Sequence, residues 1–343
     1  HFAQWIANGR HGAMAYLARD NPPDRADARG QYLREDLRNA FPWAQSVLCC
    51  ALGYHAPGPR STDGRPPGHG WIARYAWGDD YHQILLAKLR AVAARLAPAL
   101  AAADRGTARL YVDTGPLVER VVGYHAGLGW IGKNTCLIHP RRGSFFFLGV
   151  IVLAAEVEPD SPLPDHCGSC RRCIDACPTE ALTPYQMDAQ RCIAYLNLEL
   201  RGPIPLELRA AMGDNIIGCD ICQDVCPWNE KAARGPVAPA PEFAPRLGRV
   251  APELATLATM SEEDYRHQFR GSAAKRAKYV GLLRNIAVAL GNNPGPDAGT
   301  ILAQMAQHAD PMVREHAAWA LGRIPQGDRE HPATAPANSY AAD

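Results

Sequence analysis

The sequence predicts an α+β protein with an α/β region, a cysteine-rich region and an all-helical region. Three observations predict it. Residues 1–158 alternate apolar runs at strand and at helix spacing; eight of the eleven cysteines fall between Cys167 and Cys226; and beyond a proline-rich stretch the apolar residues recur only at helical spacing. A chain of 343 residues is long enough for more than one domain, and 47% hydrophobic residues suffice for real cores. A net charge of +1 assigns no partner, because local patches rather than totals steer association. No stretch approaches the ~18 apolar residues that span a bilayer, so no membrane partner is expected. The opening, His1-Phe2-Ala3-Gln4-Trp5-Ile6, shows neither an initiating Met nor a signal peptide. A trimmed start and a cytoplasmic location are the expectation. Clustered cysteines without a secretion signal favour metal over disulfides.

The elements follow in order. Phe2 to Ala18 and Arg34 to Ala40 have helical spacing, the second stopping at Pro42. Ser46 to Leu52 reads as a strand, and the Gly-, Pro- and Arg-rich stretch from Gly53 to Gly70 as a loop. Tyr81 to Leu100 is a long helix, and Arg109 to Val112 a strand that delivers Asp113 into a Gly-Pro turn. A helix from Pro116 to Ala126, a glycine-rich loop from Gly127 to Lys133 and strands from Thr135 to His139 and Phe145 to Leu153 complete residues 1–158. Residues 159–234 carry the cysteines and short helices. Residues 235–328 begin with the proline linker Gly235 to Pro241 and turn helical. There Arg284-Asn285-Ile286-Ala287-Val288-Ala289-Leu290-Gly291 is echoed by Glu315-His316-Ala317-Ala318-Trp319-Ala320-Leu321-Gly322, with the Leu-Gly pairs 31 residues apart. The echo resembles a short HEAT-like repeat, in which each hairpin buries its face on the next. Residues 329–343 are expected to be a disordered tail.

The cysteines carry the chemistry. Cys167-Gly168-Ser169-Cys170-Arg171-Arg172-Cys173-Ile174-Asp175-Ala176-Cys177-Pro178 reproduces the bacterial ferredoxin run C-x₂-C-x₂-C-x₃-C-P, whose fourth cysteine ligates the other cluster. A partial second run, Cys219-Asp220-Ile221-Cys222-Gln223-Asp224-Val225-Cys226-Pro227, lacks one near-neighbour cysteine, and Cys192 is the replacement at hand. The exchange rule gives Cys167, Cys170, Cys173 and Cys226 to one [4Fe–4S] cluster, and Cys177, Cys192, Cys219 and Cys222 to a second. A pair of zinc sites is the alternative, since CxxC pairs also hold zinc; zinc knuckles seldom carry the third x₂ step and a Cys-Pro end twice. Cys49, Cys50 and Cys136 lie in apolar strand contexts and read as inert buried thiols.

Further motifs tie the chain to a family. Arg74-Tyr75 with Asp80-Tyr81-His82, the segment Asp113-Thr114-Gly115-Pro116-Leu117-Val118-Glu119-Arg120, Ala126-Gly127-Leu128-Gly129-Trp130-Ile131-Gly132-Lys133-Asn134 and Gly143-Ser144-Phe145-Phe146-Phe147-Leu148-Gly149 resemble signatures of epoxyqueuosine reductases. So do Arg191-Cys192-Ile193-Ala194-Tyr195-Leu196-Asn197-Leu198-Glu199, Gly218-Cys219-Asp220 with Cys226-Pro227-Trp228-Asn229, and Phe269-Arg270-Gly271-Ser272 with Lys275-Arg276 and Arg284-Asn285. The resemblance runs from His11-Gly12 to about Ile324. Ala194 and Asn197 depart from it, standing where the family carries Ser and Thr.

The resemblance implies that residues 1–158 bind a base-off cobalamin and that residues 159–234 form a ferredoxin-like domain with two [4Fe–4S] clusters. It makes residues 235–328 a HEAT-like platform for tRNA. Electrons from an external donor such as flavodoxin or ferredoxin would pass through the clusters to cobalt. Epoxyqueuosine at the wobble position of tRNAs with a GUN anticodon (the Tyr, His, Asn and Asp isoacceptors) would become queuosine. A monomer is expected. The implied cobalamin neighbours are Asp113, Leu137, Ser144, Leu148, Ala194, Cys219 and Asp220, and the implied tRNA contacts are Glu199, Lys275, Arg276, Lys278 and Arg284.

Asp113 is the expected proton donor, because an opening epoxide leaves an alkoxide that must be protonated. Burial beside an apolar corrin would raise its pKa and keep a proton available. A plain helix cap before Pro116 is the competing role. Tyr75 and His82 are further cleft residues or ordinary helix packing. Arg266, His267, Arg270, Lys275, Arg276, Lys278 and Arg284 crowd 19 residues with few acids; phosphate binding competes there with a solvated helix face. Two other activities are weighed. A corrinoid-dependent reductive dehalogenase is built of similar modules but needs no basic helical repeat. A ferredoxin-type electron carrier would need neither the glycine-rich loop nor an acid at Asp113.

Overall fold

The computed structural model describes residues 2–22, 27–102, 108–235 and 240–324. The first region is built on a three-stranded antiparallel sheet of β1 (Ser46–Gly53), β3 (Ala108–Tyr111) and β4 (Phe146–Leu153), with β4 in the centre. Val150 to Leu153 are buried on both faces, which is why this strand reads as a continuous apolar run rather than an alternating one. On one face, α1 (Tyr81–Ala102) lays Leu85 and Leu89 against Ile151 and Leu153. On the other, Phe41 and Leu117 pack on Val150 and Val152 beside α2 (Glu119–His125). The register, with Tyr111 opposite Val150 and Ala51 opposite Leu148, brings the end of β3 to the Leu148 end of β4.

A short strand, β2 (Trp71–Ile72), leaves this region and pairs in parallel with β5 (Asn215–Ile217) of the cysteine region. The two regions therefore share a core, in which Trp71, Ile72 and Trp77 pack with Ile216, Ile217 and residues of the helical region. Here α4 (Tyr279–Asn292) is buried from Gly281 to Gly291, because it lies between β5, α3 (Ile193–Leu198) and α6 (Pro311–Leu321). Beside them runs α5 (Ala298–Met305). Asp310 caps α6 by accepting from the backbone N–H of Met312 at 2.8 Å, and Pro311 opens it. At Gly291 a Cβ would lie 2.8 Å from that of Ala320, so glycine sets the distance of closest approach between α4 and α6. Its echo, Gly322, instead follows the end of α6. The two glycines thus do different work.

Several expected elements are shorter. The helix read over Phe2 to Ala18 is limited to Phe2–Ala7 and a 3-10 turn at Ala15–Leu17, with Gly9 and Gly12 in the left-handed region between them. The one over Arg34 to Ala40 is Leu37–Ala40, opened by Asp36. Pro116 to Val118 stay outside α2. The expected tail, 329–343, and residues 236–239 of the proline linker lie outside the described residues. Among the described residues no helix is long and apolar enough to cross a membrane.

Candidate redox site

The thiols assemble in two groups. Burial first, then the neighbouring Cys226, Cys167 and Cys170, push the Cys173 thiol up to about 11. Burial, then Cys192, Asp220 and Cys177, raise Cys219 well above its ordinary range. Cys222 is raised by its hydrogen bond with Cys136, by burial, and by Cys219 and Cys192. Cys173 thus lies near Cys167, Cys170 and Cys226, and Cys219 near Cys192 and Cys177. Such packing penalises every thiolate unless positive charge is bound among them. The local folds explain the grouping. Cys170 N–H bonds to the Cys167 carbonyl at 3.0 Å, curling the first loop, while Cys192 opens α3 beside the turn that carries Cys219.

The glycine-rich loop, expected to border the corrin, extends into clamps on these cysteine loops. Lys133 Nζ donates to the carbonyls of Gly168 at 2.6 Å and Cys170 at 3.0 Å, and Asn134 donates to the Cys222 carbonyl at 3.3 Å. Trp130, in a short strand pair with Leu137–Ile138, is buried with no oxygen or nitrogen partner for its indole N–H. Burial raises the Cys167 thiol, while the Lys133 backbone N–H and the Trp130 indole bond to its sulfur and oppose that rise. Cys49, pushed up to about 12 by burial, fits the expected inert thiol. Cys136 does not: it contacts Cys222, a neighbour 86 positions away that no local pattern announces.

Asp113 follows β3 with φ +60°, in the left-handed region, and its side chain turns back onto the start of α1. Tyr81 donates from its phenol to Asp113 Oδ2 at 2.7 Å, and His82 Nε2 lies 3.5 Å from the same oxygen. The helix-cap role is therefore not the one it takes. His82 above all, with help from Tyr81 and Arg276, holds the Asp113 carboxyl below the usual range, and the side chain is 62% exposed rather than buried. Tyr75 connects this acid to the thiols. Its ring centroid lies 6.5 Å from that of Tyr81, and a Cβ at Gly218 (φ +68°), beside Cys219, would fall 2.8 Å from the Tyr75 ring.

The other expected cofactor neighbours divide. Leu148, Ala194 and Cys219 are half-buried. Leu137 is buried against α2, and Ser144 Oγ accepts from Asn229 at 2.9 Å and Gln223 at 3.0 Å. Asp220 is buried, its carboxylate accepting from the Arg74 backbone N–H at 2.7 Å. Packing and internal hydrogen bonds hold these three side chains in place. Asn197, buried in place of the family's Thr, brackets Gly218 through its N–H and carbonyl, both at 2.9 Å.

Of the expected tRNA contacts, Lys275, Arg276 and Lys278 are exposed. Arg276 grips Glu199 in a two-pronged pair at 2.6 and 2.7 Å. Arg284 is a correction: it is 1% exposed and donates to the carbonyls of Leu196, Leu200 and Gly202. Its guanidinium joins α4 to the segment after α3 and cannot face RNA.

An α/β layer joined to thiols brought together in ferredoxin-type spacing defines an iron–sulfur protein. Residues 166–229 match the 4Fe-4S double cluster binding domain, and residues 34–114 match the family "Epoxyqueuosine reductase QueG, DUF1730". An epoxyqueuosine reductase of Synechocystis sp. is 43% identical over 286 residues, covering 82% of this chain and 91% of the relative. A crystal structure of epoxyqueuosine reductase with a tRNA-Tyr epoxyqueuosine-modified tRNA stem loop superposes with TM-score 0.77 at 31% identity, over 94% of this chain and 82% of that one. One from Bacillus subtilis, with its aspartate-bearing catalytic loop swung out of the active site, gives TM-score 0.75 at 30% identity over the same shares. The chain belongs to the epoxyqueuosine reductase family of oxidoreductases.

Proposed function

We propose that the chain reduces epoxyqueuosine to queuosine at the wobble position of tRNAs with GUN anticodons, using electrons relayed through two [4Fe–4S] clusters. Cys167, Cys170, Cys173 and Cys226 hold one cluster; Cys177, Cys192, Cys219 and Cys222 hold the other. The observation that carries this reading is the path from Cys219 through Gly218, Tyr75 and Tyr81 to Asp113, which joins a thiol to an acid through packed aromatic rings. The Trp130 indole N–H directed at the Cys167 sulfur supports cluster one, since a charged sulfur is the stronger acceptor for it.

A cobalamin suits the accessible part of the expected set. Leu148, Ala194 and Cys219 offer small or apolar contacts for a flat macrocycle, and the register brings Asp113 to the Leu148 end of the sheet. When bound, it would supply a strongly reducing, nucleophilic cobalt toward the epoxide. Asp113 delivers the proton that the opened oxygen requires. Exposed Lys275, Arg276 and Lys278 bind phosphates, with residues 235–328 as a HEAT-like platform that leaves the modified base free to enter the cleft. The electron donor is of the flavodoxin or ferredoxin kind, and the enzyme works as a cytoplasmic monomer.

Anaerobic reconstitution with iron, sulfide and cobalamin, followed by nucleoside analysis of tRNA from cells lacking the activity, tests the proposal. Queuosine should accumulate as the epoxide disappears, and Asp113→Asn should keep both clusters and lose turnover. Unchanged epoxyqueuosine with fully loaded protein would overturn it.

A further inference from the structure

Reduction of an epoxide to an alkene and water consumes two electrons and two protons. One carbon–oxygen bond breaks and its oxygen takes the first proton; the second breaks as a carbon–carbon π bond forms, and the oxygen leaves as water with the second proton. The electrons come from the external iron–sulfur or flavin donor. A single carboxylic acid holds one proton, so an acid acting alone must be refilled within each turnover. Around Asp113 the structure holds the parts for that. His82 Nε2 lies 3.5 Å from Asp113 Oδ2, and His82 Nδ1 lies 2.8 Å from Asp80 Oδ1, which also accepts from the His82 backbone N–H at 3.1 Å. Both ring nitrogens therefore face carboxylates. The ring is clamped from the side by Tyr81, stacked at 4.0 Å, and Tyr81 is stacked on Phe147 at 4.1 Å with planes 4° apart. At 35% exposure the His82 side chain also reaches water, while Asp80, at 15%, is largely shielded.

Resting on the reductase reading above, we propose that His82, oriented by Asp80, is the positioning residue that returns a proton to Asp113 after each delivery, refilling itself from solvent. The proton moves from imidazolium Nε2 to the Asp113 carboxylate, and from Asp113 to the substrate oxygen, twice per turnover. The groups facing this relay are Asp80, Tyr81 and Asp113, with Lys275 acting on Asp80 and Arg276 on Asp113. Burial opposes charge on the ring, but Asp113 and Asp80 outweigh it and push His82 up to about 9, so the relay stands loaded at neutral pH.

The test uses the full chain with both clusters. Imidazole resonances, with that of His82 identified by its loss in His82→Gln, should titrate near 9 in the native protein and markedly lower in Asp80→Asn. Turnover of the epoxide-bearing tRNA should fall about 100-fold in His82→Gln, with KM for tRNA little changed. The fall in rate expected above pH 9 for the native protein should vanish in His82→Gln and move to lower pH in Asp80→Asn. A merely structural role would lower the rate without moving that limb. A ring titrating in the ordinary histidine range, or an alkaline limb that survives His82→Gln, overturns the inference while the reductase reading stands. Native protein inert toward the epoxide overturns both.

Discussion

Arg74 Nη1 meets Asp224 Oδ1 at 2.6 Å, with the side chains only 2% and 3% exposed. Asp224 also accepts from the backbone and hydroxyl of Ser61, both at 2.7 Å, and Arg74 donates to the Pro59 carbonyl. The loop before β2 is thereby fastened to the short helix Ile221–Asp224 that carries Cys222. Removing one partner of a buried pair strands the other charge at a cost of about 3–5 kcal/mol. Asp224→Ala should lower stability by that order in anaerobic denaturation, whereas Arg74→Met with Asp224→Leu should cost less than the single change. A single variant as stable as the native protein would remove this pair from the set of contacts holding the regions together.

Thiol grouping predicts which cysteines fail together. Cys226→Ala and Cys167→Ala should each abolish the same cluster, and the double variant should lose no more iron and sulfide than either alone. Cys226→Ala combined with Cys177→Ala should lose both clusters. Additive losses for Cys226 and Cys167, read by metal analysis and electron paramagnetic resonance, would contradict their sharing one cluster.

Arg284 and the exposed lysines should separate stability from RNA binding. Arg284→Met removes charged hydrogen bonds to three carbonyls and should lower the thermal midpoint, at about 1.5–3 kcal/mol for such a bond. Lys275→Ala and Lys278→Ala should leave the midpoint alone but weaken binding to an anticodon stem loop. Each should reduce the slope of log affinity against log salt by about 1. Identical salt slopes in native and lysine variants would place the RNA elsewhere.

Glu119 gives a pH-dependent term. Burial first, with Asp113 adding and Arg34 and Arg120 opposing, pushes its carboxyl up to about 7, and its Oε1 has no hydrogen-bond partner. The folded state therefore holds a proton that the unfolded chain releases from its ordinary value of 4.5. This contribution is full below that value and is lost as pH rises to about 7. Thermal midpoints of Glu119→Gln, compared with native protein from pH 4 to 8, should fall less steeply across that window. Parallel curves would contradict the shift.

Much of the fold is legible in the sequence where period and punctuation agree. The strand from Ser46, the long helix from Tyr81 and the run ending at Leu153 stand where their apolar spacing puts them, and the 4Fe-4S double cluster match falls on the stretch the cysteine spacing singles out. What escapes is long-range. A basic residue on a helix reads as solvent-facing, yet Arg284 lies on a helix covered on every side, where carbonyls of another segment replace water. The relation of Asp113 to Tyr81 and His82 spans about thirty residues and depends on how β3 returns to the head of α1. Its lowered pKa follows from those neighbours, which no local pattern supplies. Glycines in the loop before Lys133 suggested room for a ligand, but the purpose visible in the structure lies in the Lys133 and Asn134 side chains.

The parallel pairing of Trp71–Ile72 with Asn215–Ile217 has a consequence for how the molecule comes into being. A ribosome that has extruded β2 has yet to synthesise the strand it needs, so that edge waits, open, for more than a hundred further residues. Closure of so wide a chain loop is slow compared with helix formation. The nascent α/β layer must stay unaggregated through that interval, and mutations that weaken the β2 contact should show first as poor yield at high expression temperature rather than as altered chemistry.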